Sequence, residues 1–249
     1  MLTHPTLTKL HDLRLPGMIR AFRQQLQAPD IVDMLFEDRF GLIVDQELTD
    51  RDSRRMNTRL RHAKLKDQAC MENIDFLKPR NIDKSTFTFL ATGRWISEHR
   101  NVLITGPTGV GKTYLACALA HKACQSGFKT LYVRSPRLLH DVAIARADGS
   151  YNKFLARLAK LDLLVVDDFA LVALADDLSR DFLEIVDDRT GSRSTVIASQ
   201  LPVEHWHETI TNSTIADAIL DRVVHNSYKI ALKGKSMRDP KEPPHTEAT

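Results

Sequence analysis

The sequence predicts an α/β fold, a parallel sheet sandwiched by helices and preceded by a small α-helical N-terminal domain. Three observations predict it. From Asn101 onward, short apolar runs alternate with stretches of helical periodicity. Those runs are apolar throughout rather than at every second residue, the mark of strands buried on both faces. Residues 1–95 carry helical patterning instead, with no series of strands and no internal repeat.

In chain order, an amphipathic start between Leu7 and Met18 is interrupted by Pro16-Gly17, and a second segment covers Met18 to Leu26. Ile31 to Leu48 places apolar residues at Met34, Leu35, Leu42 and Ile43 and continues into a charged run ending near Asn73. A loop at Lys78-Pro79-Arg80-Asn81 precedes Asp83-Lys84-Ser85 and an apolar stretch to Trp95. The strands then follow: NVLIT from Asn101, TLYVR from Thr130, LDLLVV from Leu161, STVIAS from Ser194 and YKIAL from Tyr228. Helices are expected between them from about Lys112 to Gln125, stopped by Gly127, over 136–160, over roughly 178–189, and in segments up to Asn226. The domain limits expected are 1–95, 96–238 and a Pro-rich polar tail, 239–249, with too little apolar content to fold.

With 249 residues, 43% apolar and 27% charged, the chain can bury a core and stay in solution. A net charge of +3 gives no global pull toward polyanions, so any nucleic-acid preference has to come from local clustering. The three cysteines, Cys70, Cys117 and Cys124, form no CxxC pair, which argues for reduced core thiols. No apolar leader or bilayer-length stretch is present, so a cytosolic location without a membrane partner is expected.

GPTGVGKT sets Gly106, Pro107, Thr108, Gly109, Val110, Gly111, Lys112 and Thr113 in the pattern G-x-x-x-x-G-K-[ST], between a strand and a helix. Its glycines let several backbone N–H groups face one anion, and the helix starting there adds its positive end. Lys112 is placed to neutralise β- and γ-phosphates and the Thr113 hydroxyl to hold a metal, so ATP and Mg²⁺ are the expected cofactors. LLVVDDFA, 163–170, is an apolar strand ending in carboxylates, with Asp167 expected at the water shell of Mg²⁺ and Asp168 polarising the attacking water. Gln200, at the tip of STVIASQ, can touch the γ-phosphate or that water. Arg222 is a candidate to reach the γ-phosphate of a neighbouring subunit, and Arg238 a candidate to act within its own chain.

RDSRRMNTRLRHAKLK, 51–66, is the densest charge in the sequence. On a helix Arg51, Arg55, Arg59, His62 and Lys66 share a face flanked by Arg54 and Arg61, while Met56, Leu60 and Ala63 form an opposite, buried stripe. Most such runs are solvated faces. Here Asp52 is the only acid within the run, and a nearly unopposed basic face repels itself unless a polyanion lies on it. No aromatic residue is interleaved, so backbone contact with double-stranded DNA is expected from Arg51, Arg54, Arg55, Arg59, Arg61, Lys64 and Lys66.

Together, GPTGVGKTYLACALAHKA, LLVVDDFA, TVIASQLPVEHW and ILDRVVHNSYKIALKGKSMR resemble the IstB-type ATP-binding proteins of insertion sequences. LTKLHDLRLPGMIRAF, RLRHAKLK and NIDKSTFTFLATGRWI match the same family, so the resemblance covers nearly the whole chain except about the last ten residues. It implies a P-loop AAA+ ATPase core close to the helicase loader DnaC. It further implies a helper that binds DNA with ATP, self-associates into oligomers and assists its partner transposase IstA. By the same resemblance Gly106 to Thr113 match the Walker A loop, Asp167 and Asp168 the Walker B pair, and Gln200 the first sensor position, while Arg222 falls near the arginine finger. Relatives often carry Glu where this chain has Asp168, and the shorter side chain points to slow hydrolysis. A helicase loader shares the ATPase core but uses its N-terminal arm on a helicase. A small-molecule kinase needs an Arg-rich lid, for which residues 136–160 offer only the widely spaced Arg137, Arg146 and Arg157.

Overall fold

The structure, a computed structural model, describes residues 5–28, 31 and 33–237. Arg238 and the tail expected over 239–249 lie outside the described residues. The chain divides into two compact units, Met1–Thr58 and Arg59–Thr249.

The smaller unit contains helices α1 (Pro5–Asp12) and α2 (Pro16–Gln27) and most of α3 (Phe36–Ala63). The first turn of any helix leaves backbone N–H groups without intrahelical partners. In α2 a buried carboxylate of α3 takes them: Glu47 Oε2 accepts from the N–H of Gly17 at 2.7 Å and of Met18 at 3.3 Å. Gly17 permits that approach, because a Cβ there would lie 2.6 Å from the Glu47 Cα. Oε1 accepts from Arg51 Nε at 2.8 Å and from Arg54 at 3.2 Å. Burial pushes the Glu47 carboxyl up, but the bonds from Arg51, Gly17 and Met18 outweigh it and hold it below the usual carboxylate range. α3 ends at Ala63, where Lys64 turns to φ 51°, and not near Asn73 as the charged run suggested.

In the larger unit α4 (Lys84–Ala91) and α5 (Arg94–Ser97) lead into β1 (Asn101–Thr105) and α6 (Lys112–Gln125). β2 (Thr130–Arg134), α7 (Ser135–Ala147), α8 (Tyr151–Ala159), β3 (Leu163–Phe169), α9 (Asp176–Asp187), β4 (Ser194–Ser199), α10 (Ser213–Val224) and β5 (Ser227–Ala231) follow. The helical stretch expected over 136–160 is thus two helices, separated at Gly149 with φ 77°. The five strands run in the order β2-β3-β4-β1-β5, and every pairing is parallel. Successive residues of β1 serve opposite faces, as strand geometry requires. Val102 and Ile104 pack in a cluster with Leu115 and Leu119 of α6, whereas Leu103 joins Phe182 and Ile185 of α9 and Ile219 of α10. Both faces are covered, which is why the strands read as unbroken apolar runs.

The expected division at 95/96 is corrected. Ala69, Ile74, Phe87, Leu90, Trp95 and Ile96 are buried in the same cluster as Leu115 and Val165, so this segment completes the core of the larger unit. Its apolar residues are spent on the sheet's helical cover, and the unit boundary falls between Thr58 and Arg59. One buried cation also belongs to the frame. Arg189, 2% exposed, donates to the carbonyls of Leu158 at 2.7 Å, Leu161 at 3.1 Å and Ser194, and to Thr195 Oγ1 at 3.1 Å. It ties the end of α8 to the starts of β3 and β4.

Candidate nucleotide site

The loop after β1 turns through positive φ at Gly106 (144°), Gly109 (85°) and Gly111 (98°), a conformation side chains resist. At Gly106 a Cβ would also sit 2.5 Å from the Leu232 carbonyl oxygen. Gly111 opens α6, so the N-terminal end of that helix points into the loop. Lys112, only 8% exposed, folds back so that Nζ donates to the carbonyls of Gly106 at 2.7 Å and Pro107 at 2.8 Å. The cation is therefore held in the mouth of the loop by the loop's own carbonyls.

β4 lies between β1 and β3, so the tips of three neighbouring strands meet at the loop. The Thr113 hydroxyl donates to Asp167 Oδ2 at 2.8 Å, and the Tyr132 hydroxyl donates to the same oxygen at 2.7 Å. Burial and then the bond to Asp167 push the Tyr132 phenol well above its ordinary value. Oδ1 of Asp167 accepts from the N–H of Asp168 at 2.9 Å. β3 carries one residue more than β4 between the pairs Val166–Ile197 and Phe169–Ser199, and Asp168 takes φ 55° within that bulge. A bulge re-aims side chains. Asp167 is directed to Thr113, while Asp168 is directed to Arg134 at the tip of β2, whose Nε lies 2.7 Å from its carboxylate. That pairing raises the Arg134 pKa. The Thr108 hydroxyl donates to Gln200 Oε1 at 2.8 Å.

Of these groups Thr108, Lys112, Thr113, Arg134, Asp168 and Gln200 border a cleft of about 610 Å³. Its lining includes Thr108, Gln200, Arg134 and Asp168 from the loop and the strand tips, together with Lys66, Asn73, Asp75, Arg80 and Tyr114. The oxygen donors Thr113 and Asp167 fit Mg²⁺, a hard cation that takes one or two protein oxygens and completes its shell from phosphates and water.

Of the expected site residues, the loop, Asp167, Asp168 and Gln200 are brought together. Arg222 does not line the cleft of its own chain; it pairs with Asp187 and donates to the Ala218 carbonyl at 3.0 Å. Glu184 lies outside the cleft and accepts from Tyr151.

The basic set is dispersed by the structure. Arg51 and Arg54 share Glu47, an acid just outside the run considered, and Arg55 faces Asp52 at 3.6 Å. Arg59 Nε donates to the Cys124 carbonyl at 2.7 Å, closing the C-terminal end of α6. Arg61 and Lys64 are exposed, and Lys66 lies beyond the helix and lines the cleft, so it leaves the expected basic face. Sequence reasoning missed Arg134, Tyr132 and Arg80. Arg134 had a signal, as a cation ending the strand TLYVR one strand away from the paired aspartates; Arg80 had none.

A parallel sheet in this order, with a phosphate loop after β1, two acids on β3 and a polar tip on β4 between them, defines a P-loop nucleotide-binding protein with the AAA+ fold. Solved structures agree on the fold. DnaI superposes with a TM-score of 0.57 at 21% identity over 66% of this chain and 91% of that one. The DnaC helicase loader does so with 0.52 at 18% identity over 66% and 97%. The chain belongs to the family of IstB-like ATP binding proteins, whose model matches residues 8–243. Among its relatives is y4pL of Sinorhizobium fredii, by name an insertion sequence ATP-binding protein, 46% identical over 96% of this chain and 97% of its own length. No helix among the described residues is long and apolar enough to cross a membrane.

Proposed function

We propose that this protein is an ATP-switched, DNA-binding ATPase that assembles on DNA and assists the transposase of an insertion sequence. The observation that carries the ATPase reading is the cleft in which the phosphate loop, Thr113–Asp167 and the Asp168–Arg134 pair converge. Full-length similarity to an insertion sequence ATP-binding protein supports the transposition role over helicase loading, for which the likeness is one of fold.

Bound Mg²⁺ would neutralise charge on the phosphates. Lys112 exchanges its two loop carbonyls for phosphate oxygens, and the loop amides hold the phosphates in register. Asp168 acts as base only once it leaves Arg134, so the ion pair keeps the base idle until the cleft is filled. Gln200 orients the attacking water after parting from Thr108. Arg222, pointing away from its own cleft, serves the cleft of a neighbouring copy.

Asp168→Asn should leave ATP affinity within about threefold and lower phosphate release by roughly a hundredfold, the scale of a lost general base. ATP-bound protein should then accumulate on DNA together with the transposase. Release at the parental rate in a phosphate assay would reject Asp168 as the base.

Arg51, Arg54 and Arg55 remain the proposed DNA contacts of the N-terminal unit. Arg55 gives the cleanest test, since its partner Asp52 is itself exposed and surface pairs contribute little. Arg55→Gln should make the slope of log K against log salt shallower by about 0.9 without changing the melting temperature. Anisotropy titrations on random duplex at several salt concentrations read this directly; an unchanged slope removes Arg55 from the interface.

A further inference from the structure

Arg80 stands apart from every other cation around the cleft. It is 5% exposed, yet no carboxylate among the described residues pairs with it. Its guanidinium has five N–H donors. Nη1 donates to the Val110 carbonyl at 3.2 Å and Nη2 to the Asp75 carbonyl at 2.6 Å. Nε is buried with no partner. The Asp75 carboxylate, the nearest acid in sequence, instead accepts from the N–H of Leu77. A buried charge is expensive unless its donors are matched, as those of Arg189 are by carbonyls and a hydroxyl. At Arg80 the unmatched Nε leaves room for an anionic ligand to supply both acceptor and counter-charge.

The position says which ligand. Arg80 lines the cleft and packs under the phosphate loop so closely that a Cβ on Gly111 would come within 2.9 Å of Nη1. It therefore reaches the loop at Val110–Gly111, where α6 begins. The terminal-phosphate machinery, Thr108 with Gln200 and Asp168 with Arg134, occupies the strand-tip side. Arg80 meets the loop instead at Val110 and Gly111, the residues that open α6. The backbone fixes its place, as the N–H of Lys233 donates to the Arg80 carbonyl at 3.0 Å and Asn81 Nδ2 to that of Ala231, also at 3.0 Å.

We propose that Arg80 is a phosphate-binding residue of the nucleotide cleft, supplying in cis the counter-charge to the α-phosphate, the phosphate next to the sugar. The bound nucleotide completes the hydrogen bonding of a guanidinium that the protein's own acceptors leave partly unsatisfied. This rests on the cleft being the nucleotide site, and it assigns a residue outside the loop and the two acids. Arg80 would then bind every nucleotide that has an α-phosphate, whatever follows it, while Asp168 and Gln200 answer only to the terminal phosphate.

The test is a set of affinities for ATP, ADP, AMP and adenosine, measured by calorimetry or by competition with a fluorescent nucleotide. It uses the full chain, as wild type, Arg80→Met and Arg80→Lys, with Lys112→Ala alongside. Arg80→Met should weaken ATP, ADP and AMP by a similar factor, roughly tenfold to a hundredfold for a lost charge-assisted bond, and leave adenosine unchanged. Arg80→Lys should recover part of that loss. Lys112→Ala should weaken ATP and ADP far more than AMP. Undiminished AMP binding in Arg80→Met overturns the assignment. So does a loss of adenosine in step with ATP, which would make Arg80 a prop between Val110 and Asp75. If wild type binds no ATP, or Lys112→Ala binds it normally, the nucleotide cleft itself is wrong and the assignment falls with it.

Discussion

Lys112→Ala is expected to lower ATP affinity by at least about a hundredfold, or roughly 2.8 kcal/mol at 1.4 kcal/mol per tenfold. The substitution removes the one cation that the loop itself brings to its own mouth. That ammonium rests on the carbonyls of Gly106 and Pro107. Because both are backbone oxygens of a tight loop, the cation is stored at the place where phosphate charge arrives, and little reorganisation accompanies binding. Alanine leaves two carbonyls facing the cleft, so an incoming phosphate meets partial negative charge instead of an ammonium. The loop's shape is set by glycine dihedrals and by the start of α6, so the variant should fold normally. A nucleotide titration with parallel melting curves separates the two effects. Affinity within threefold of wild type would mean that phosphates bind elsewhere.

Arg189→Met is expected to cost about 3 kcal/mol of stability, from carbonyls stranded in the core that each carry a penalty of roughly 1–3 kcal/mol. For a chain of this size that corresponds to a fall in melting temperature on the order of 6–12 °C. Burial presses the Arg189 guanidinium down to about 9, with Arg193 adding to the effect, so at neutral pH it stays charged. The charge is tolerated because three carbonyls and the Thr195 hydroxyl surround it. Methionine fills similar space and removes the desolvation cost, but it gives nothing back to Leu158, Leu161 and Ser194. Arg189 is absent from the cleft lining, so nucleotide affinity measured well below the transition should persist. A melting temperature within a degree of the parent would show that water replaces the guanidinium without loss.

The two sites differ in how they could be foreseen. Lys112 is legible because its chemistry is local: a fixed spacing of glycines, a lysine and a hydroxyl acts through one turn of backbone. Arg189 reads as an ordinary surface arginine, since two of the carbonyls that bury it, those of Leu158 and Leu161, lie 31 and 28 residues away.

The sequence by itself determined the sheet, its parallel sense and the identity of the phosphate loop, because unbroken apolar strands and the glycine–lysine spacing are local patterns. It also singled out both aspartates of β3 and Gln200, of which Asp168 and Gln200 line the cleft. Only the tertiary structure decided what each of them touches. The bulge at Asp168 turns adjacent carboxylates to different partners, Thr113 and Arg134, and no pattern in LLVVDDFA announces an extra residue relative to β4. Tertiary structure likewise moved the unit boundary to Thr58, because Phe87, Leu90 and Trp95 find their apolar partners on α6 and β3. It also divided the arginines of 51–59 between Glu47, Asp52 and the Cys124 carbonyl. Helical spacing places a charge on a face. The partner of that charge depends on which segment folds against it, and that segment lies elsewhere in the chain.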